Sequence, residues 1–206
     1  MKVAIVDYGM GNLRSVANAF EWLGCDANIV ERPRDLEGAD RIVLPGVGAF
    51  GDGIRKLRTG GWIDTLEEEV RRKGKLFLGV CLGMQLLATT STEHGTHNGM
   101  NWIPGVVERI QCEDIHVRVP HIGWNDVYFT GVGPLYGGME SSGVFYFAHS
   151  YVFRPTDLSV VNGVCHHGIE FAASVGIGNI FATQYHPEKS QSAGLAVLKN
   201  FLRMGG

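Results

Sequence analysis

The chain has 206 residues, 45% of them hydrophobic and 19% charged, a composition that can bury a core and excludes an intrinsically disordered protein. Its formal net charge is −3 with no lysine or arginine run, which argues against nucleic-acid binding. No signal-peptide pattern opens it and no apolar stretch approaches the ~20 residues of a membrane span, so no membrane partner is expected.

Four cysteines, Cys25, Cys81, Cys112 and Cys165, lie far apart with no C-x-x-C pair. That spacing points to a reducing cytoplasm and away from a disulfide framework. The 29 glycines predict many tight turns.

Residues 3–7 read as a buried strand and Tyr8-Gly9-Met10-Gly11 as a turn. Asn12 is a plausible N-cap for a helix reaching Leu23, with Leu13, Val16, Ala17, Phe20 and Leu23 on one face and Gly24 as its stop. Residues 27–30 and 41–44 are further strands. Strands alternating with helices predict βαβ units and a parallel sheet. Gly9 and Gly11 open a dinucleotide-type glycine pattern, but its third position is Arg14, which argues against nucleotide binding.

Pro45-Gly46-Val47-Gly48-Ala49-Phe50-Gly51 follows the third strand. Two glycines bracket Val47, so this backbone is free to present N–H groups to a ligand; the plainer alternative is an ordinary βα loop. Helical sequence resumes over 52–57 and 63–73, where Glu67/Arg71 and Glu69/Lys73 form i,i+4 pairs.

The next stretch, residues 75–87, opens as an apolar run and ends in helix formers. Cys81 sits at the junction between Gly79 and Gly83. This is the nucleophile-elbow pattern G-x-Ser-x-G with cysteine in place of serine. It places the thiol at a helix N-terminus, where a thiolate is favoured. The alternative for Cys81 is a small buried hydrophobe.

From Thr89 to Gly99 the chain is polar and loop-like. His94 and His97 there, and Cys165-His166-His167 later, are of metal-ligand type, but neither group has the partners a site needs, and no metal or cofactor is expected. Residues 106–127 alternate in polarity and are broken by Pro120, which predicts antiparallel strands in an insertion. Residues 145–153, 160–164, 171–175 and 180–183 are strand-like, and 193–202 is a closing helix. No linker is visible, so residues 1–206 are expected to be one domain.

Between the last strand and that helix lies Gln184-Tyr185-His186-Pro187-Glu188-Lys189-Ser190. A cysteine nucleophile needs a base, and the base an orienting acceptor; His186 and Glu188 are of the right types. If the segment is extended, residues two apart point the same way and Glu188 can hold the ring. In an open parallel sheet ligands sit at the carboxyl ends of strands, so the loops carrying Val47, Cys81 and His186 can converge.

Gly79-Val80-Cys81-Leu82-Gly83-Met84-Gln85 and His186-Pro187-Glu188 resemble the signature of the class I glutamine amidotransferases. The runs at 7–13, 45–50, Pro120-His121-Ile122-Gly123-Trp124-Asn125, His149-Ser150-Tyr151 and 186–190 are similar to one branch, the glutaminase subunits of imidazole glycerol phosphate synthase. The resemblance covers almost the whole chain. It implies an α/β fold, a mostly parallel central sheet flanked by helices with an antiparallel strand insertion. It implies Cys81 as nucleophile, His186 as general base then acid, and Glu188 as its orienter. Val47, Gly48 and Leu82 would supply oxyanion donors. Gln85, His149, Ser150 and Tyr151 would bind L-glutamine. Asn12, Arg14, Trp124, Tyr146 and Lys189 would face a (β/α)₈ cyclase partner that takes the ammonia, in histidine biosynthesis, to imidazole glycerol phosphate and an aminoimidazole carboxamide nucleotide.

Two positions depart from that branch. Gly99-Met100-Asn101 stands where it often has Gly-Leu-Gly, and His167-Gly168 where it often has Tyr-Gly. A paralogous glutaminase feeding the amidation of surface-polysaccharide sugars is the alternative. A catalytically silent scaffold would need a missing triad member, and a peptidase or deglycase of related fold is opposed by Gln85 and the 45–50 loop.

Overall fold

The structure, a computed structural model, describes residues 1–112, 114–130 and 133–205; position 113, inside the alternating stretch, and 206, at the end of the expected domain, lie outside the described residues. The unbroken apolar runs near the N-terminus and before Cys81 become strands covered on both faces. In chain order come β1 (Lys2–Val6), α1 (Leu13–Trp22), β2 (Asp26–Val30), β3 (Arg41–Gly46), α2 (Phe50–Thr59), α3 (Trp62–Leu66), β4 (Leu76–Cys81) and α4 (Leu82–Gln85). The second half is mostly strand: β5 (Thr90–Ser91), β6 (His97–Asn98), β7 (Gly105–Arg109), β8 (His121–Phe129), β9 (Ser142–His149), β10 (Tyr151–Pro155), β11 (Val161–His167), β12 (Ile169–Ile177) and β13 (Ile180–Thr183), closed by α5 (Gln191–Arg203).

Nine strands form the main sheet in the order β2-β1-β3-β4-β13-β12-β11-β8-β9. The first five are parallel and the rest antiparallel. Alternate strand residues enter opposite cores, as a period of two requires. Val3 and Ile5 pack with Val16 and Phe20 of α1 and Val197 and Phe201 of α5. Ala4 and Val6 share the other core with Ile54 and Leu57 of α2 and Trp62 and Leu66 of α3. Past Leu66 the helix widens into a π-helical stretch, Glu67–Arg72, that carries the expected Glu67/Arg71 and Glu69/Lys73 pairs.

Four expectations change. Residues 106–127 do not pair with one another: β7 belongs to a second sheet, order β10-β7-β5-β6, and β8 to the main one. The strand-like stretch 145–153 likewise divides at Ser150, β9 staying in the main sheet and β10 crossing to the small one. The helix after Cys81 is a single turn, because the carbonyls of Leu86, Leu87 and Ala88 accept from the N–H groups of Met100, Trp102, Ile103 and Asn101 and cannot continue a helical ladder. The segment after His186 is a 3₁₀ turn, Pro187–Lys189, and not extended. Asn12 does precede α1, although its side chain makes no cap bond.

Candidate active site

Strand β4 runs between β3 and β13, with Gly46 level with Cys81 and Thr183 with Val80. The loops carrying Val47, Cys81 and His186 therefore leave adjacent parallel strands at the same end, where the helix-and-strand alternation placed them. Cys81 itself has φ 55° and ψ −107°, a conformation that costs a non-glycine residue about 1–3 kcal/mol and that the surrounding packing must enforce. Its flanking glycines explain how. A Cβ on Gly83 would lie 1.8 Å from the Leu44 carbonyl oxygen, and one on Gly79 2.8 Å from the Gly83 oxygen. Strand and turn approach more closely than any side chain permits.

His186 and Glu188 meet that turn from the β13 side. His186 Nδ1 is 2.8 Å from Glu188 Oε1, with both side chains buried. Cys81 and His186 line one cleft, and with Nδ1 taken by Glu188 the ring has Nε2 left for the sulfur. Burial works against the imidazolium, but the neighbouring Cys81 and Glu188 outweigh it and hold His186 well above the ordinary histidine range. The main chain here is pinned to β9: His186 N–H donates to the Tyr146 carbonyl, Tyr146 N–H to Ser190 Oγ, and Ser190 Oγ–H to the His186 carbonyl.

Cys81 and His186 open onto a cleft of about 590 Å³. Val47, Gly48 and Leu82 of the expected oxyanion set line it, as do Gln85, His149, Ser150 and Tyr151 of the expected substrate set. Val47 is 42% exposed and Gly48 has φ +100°, so the loop is open to solvent with its glycine in the left-handed region. Gln85 and His149 are buried and hydrogen-bonded, both reaching the Tyr151 carbonyl.

Glu93 and Arg109 line the same cleft and were not singled out in the sequence. Glu93 is 9% exposed, and its Oε2 accepts from the Phe50 N–H at 2.7 Å. It lies in a stretch whose polarity reads as solvated loop, so no local signal distinguishes it. Of the expected partner residues, three come together: the Trp124 and Tyr146 rings meet edge to face at 5.9 Å, and Lys189 Nζ sits 5.7 Å over the Tyr146 ring. Lys189 also lines the cleft. Asn12 and Arg14 are not in that stack; Arg14 pairs with Glu21 at 3.7 Å, and the turn before Asn12 packs on the 45–48 loop through Met10 and Gly11. Among the described residues no group of three His, Cys, Asp or Glu side chains is placed to hold a metal, and no helix is long and apolar enough to cross a membrane.

The family model for glutamine amidotransferase class-I matches residues 4–204. The imidazole glycerol phosphate synthase subunit HisH of Geobacter sulfurreducens is 46% identical over 207 residues, covering 98% of this chain and 99% of the relative. The subunit of the same name from Syntrophotalea carbinolica is 46% identical over 203 residues, covering 97% and 98%. Among solved structures, one described as a glutamine amidotransferase superposes with a TM-score of 0.74 at 22% identity, covering 97% of this chain and 96% of that one.

Proposed function

The chain belongs to the class-I glutamine amidotransferase family, and from that premise we propose that Cys81, His186 and Glu188 carry out its chemistry. The chain is a glutaminase: it releases ammonia from L-glutamine for imidazole glycerol phosphate synthesis in the histidine pathway. These relatives bear the histidine-pathway name, so the sugar-amidation alternative is not favoured.

The observation that carries the triad reading is the buried His186–Glu188 hydrogen bond in the same cleft as Cys81, with Cys81 on a strained strand-to-turn junction. Cys81 Sγ adds to the side-chain amide carbon of glutamine. His186, having taken the thiol proton, returns it to the leaving nitrogen from Nε2, and ammonia departs. A thioester remains; His186 then takes a proton from water, which attacks it and frees glutamate. Glu188 holds the ring through Nδ1. The Leu82 N–H and an N–H of the Val47–Gly48 loop stabilise the oxyanion. Free glutamine carries an ammonium and a carboxylate on its α-carbon, and Glu93 and Arg109 have the complementary charges.

Residues 1–206 act as one glutaminase domain, supported by the family match to 4–204. The ammonia goes to a (β/α)₈ cyclase subunit bound as a heterodimer against the Trp124, Tyr146 and Lys189 patch beside the cleft. We place the enzyme in the cytoplasm, supported by four free cysteines. Incubating the chain with its cyclase and glutamine, simple esters or peptides tests the assignment. Ammonia from glutamine alone is expected; hydrolysis of esters or peptides with no ammonia from glutamine would overturn it.

A further inference from the structure

We propose that Gln184 is a further positioning residue of this reaction, donating its side-chain N–H to the Cys81 sulfur and holding it as the thiolate. The proposal rests on Cys81 being the nucleophile. Gln184 is fully buried two residues before His186, and its Nε2 lies 3.8 Å from Cys81 Sγ.

Which end of the amide faces the sulfur follows from its neighbours. The Tyr151 carbonyl can only accept. Gln85 Nε2 is 3.0 Å from it, so Gln85 presents its NH₂ group there. The same nitrogen is 3.0 Å from Gln184 Oε1, which uses both Gln85 hydrogens. Turning Gln184 over would set two NH₂ groups against each other; turning both would set the Gln85 oxygen against the Tyr151 carbonyl. A backbone carbonyl therefore fixes the Gln184 amide with a donor toward Cys81.

That carbonyl is held from its other side. His149 Nδ1–H donates to it at 2.9 Å, which leaves His149 Nε2 to accept from His121 Nδ1–H at 3.0 Å; His121 Nε2 accepts in turn from Asn125 Nδ2 at 3.2 Å. Each ring has one tautomer that fits, and the anchor cannot rotate away.

A contact of 3.8 Å is long for a neutral thiol, a weak acceptor, but a negative sulfur strengthens and shortens it. The donor thus favours the anion over the thiol. It carries no proton the reaction needs, and it meets the sulfur independently of His186.

The rate of Cys81 alkylation by iodoacetamide, followed against pH with the site assigned by mass spectrometry, tests this in the full chain. Gln184→Met removes the donor. Gln184→Glu keeps an oxygen for Gln85 and turns an acceptor toward the sulfur. In either folded variant the midpoint should rise by at least one pH unit, about tenfold slower at fixed pH below it. With the cyclase bound, kcat should fall about tenfold with KM within twofold. In the parent chain the Gln184 side-chain amide resonances should titrate with the alkylation midpoint and stay flat in Cys81→Ala; this arm holds even if neither variant folds. A folded variant with the parent's alkylation curve, or amide resonances insensitive to that titration, overturns the proposal. Glutaminase activity surviving in Cys81→Ala would instead overturn the nucleophile assignment.

Discussion

Glu188 reaches the His186 ring across a single intervening proline, Oε1 to Nδ1 at 2.8 Å, within one 3₁₀ turn. The contact is set by the turn and not by an extended strand, and it fixes which ring nitrogen faces Cys81. Cys81→Ala removes the nucleophile with no large apolar group lost and should reduce glutamine hydrolysis to background in a folded chain. Glu188→Gln keeps the shape but loses the charge and should lower kcat by roughly 10²–10⁴. Ammonia release by both variants in complex with the cyclase is the measurement, and normal hydrolysis by Cys81→Ala would refute the mechanism.

Gly83→Ala should be severely destabilising. The added carbon would lie 1.8 Å from the Leu44 carbonyl oxygen, a backbone atom in the centre of the sheet that cannot swing aside. A loss of ~3 kcal/mol or failure to fold is expected, by the overpacking mechanism. Gly138 is the control: a Cβ there would meet nothing within 4 Å, although φ is +74°. Gly138→Ala should cost only the backbone strain. Urea denaturation of the two variants compares them, and equal stabilities would refute the close-packing account.

Free glutamine hydrolysis would waste ammonia, so activity should depend on the partner. Val47 lies between two glycines, which eases reorientation of its peptide. We expect a carbonyl of the resting loop to face the developing oxyanion, and docking of the cyclase with its nucleotide to favour the N–H-inward arrangement. One missing oxyanion donor costs about 10²–10³ in rate. The isolated chain should therefore be slow and gain by orders of magnitude with partner and ligand, mainly in kcat. A fast isolated chain, or stimulation confined to KM, would count against this.

Lys189 sits over the Tyr146 ring at the rim of the cleft, and Tyr146 meets Trp124. We expect Lys189 to pair with a carboxylate of the cyclase. Lys189→Glu should weaken the complex about tenfold or more and reverse its salt dependence, because a like-charge contact is screened by salt where an ion pair is weakened by it. Titration calorimetry at two salt concentrations decides, and unchanged affinity and salt response would discard the contact.

Stability should fall with acid through the histidine cluster. Burial first, then the neighbouring His149 and His167, lowers His121 to about 3. Burial first, partly offset by the Tyr151 carbonyl, lowers His149 to about 4. Unfolding returns both to about 6.5, so between those values the unfolded chain binds more protons. The stabilisation is complete above pH 6.5 and is lost as pH falls toward 4 and 3. For His149 it amounts to ~3 kcal/mol. Comparing urea stabilities of parent and His149→Gln across this range isolates the contribution from carboxylate titration. Parallel curves would refute it.

The sequence by itself determined the alternating parallel half of the sheet, because apolar runs bounded by glycines carry their own burial pattern. It also singled out Cys81 by its two glycines and His186 with Glu188 by their residue types close together in the chain, although the pair meets through a 3₁₀ turn and not through the extended segment expected. What only the tertiary structure decided depends on partners far along the chain. The helix after Cys81 stops after one turn because residues 100–103 take its carbonyls. The 145–153 stretch changes sheets at Ser150 because its two halves meet different neighbours, β8 and β7. Glu93 and Arg109 enter the cleft, and Gln184 faces the sulfur, through hydrogen bonds and packing that connect segments dozens of residues apart. Periodicity reports which face of an element is apolar; it carries no information about which distant backbone group will meet a polar side chain there.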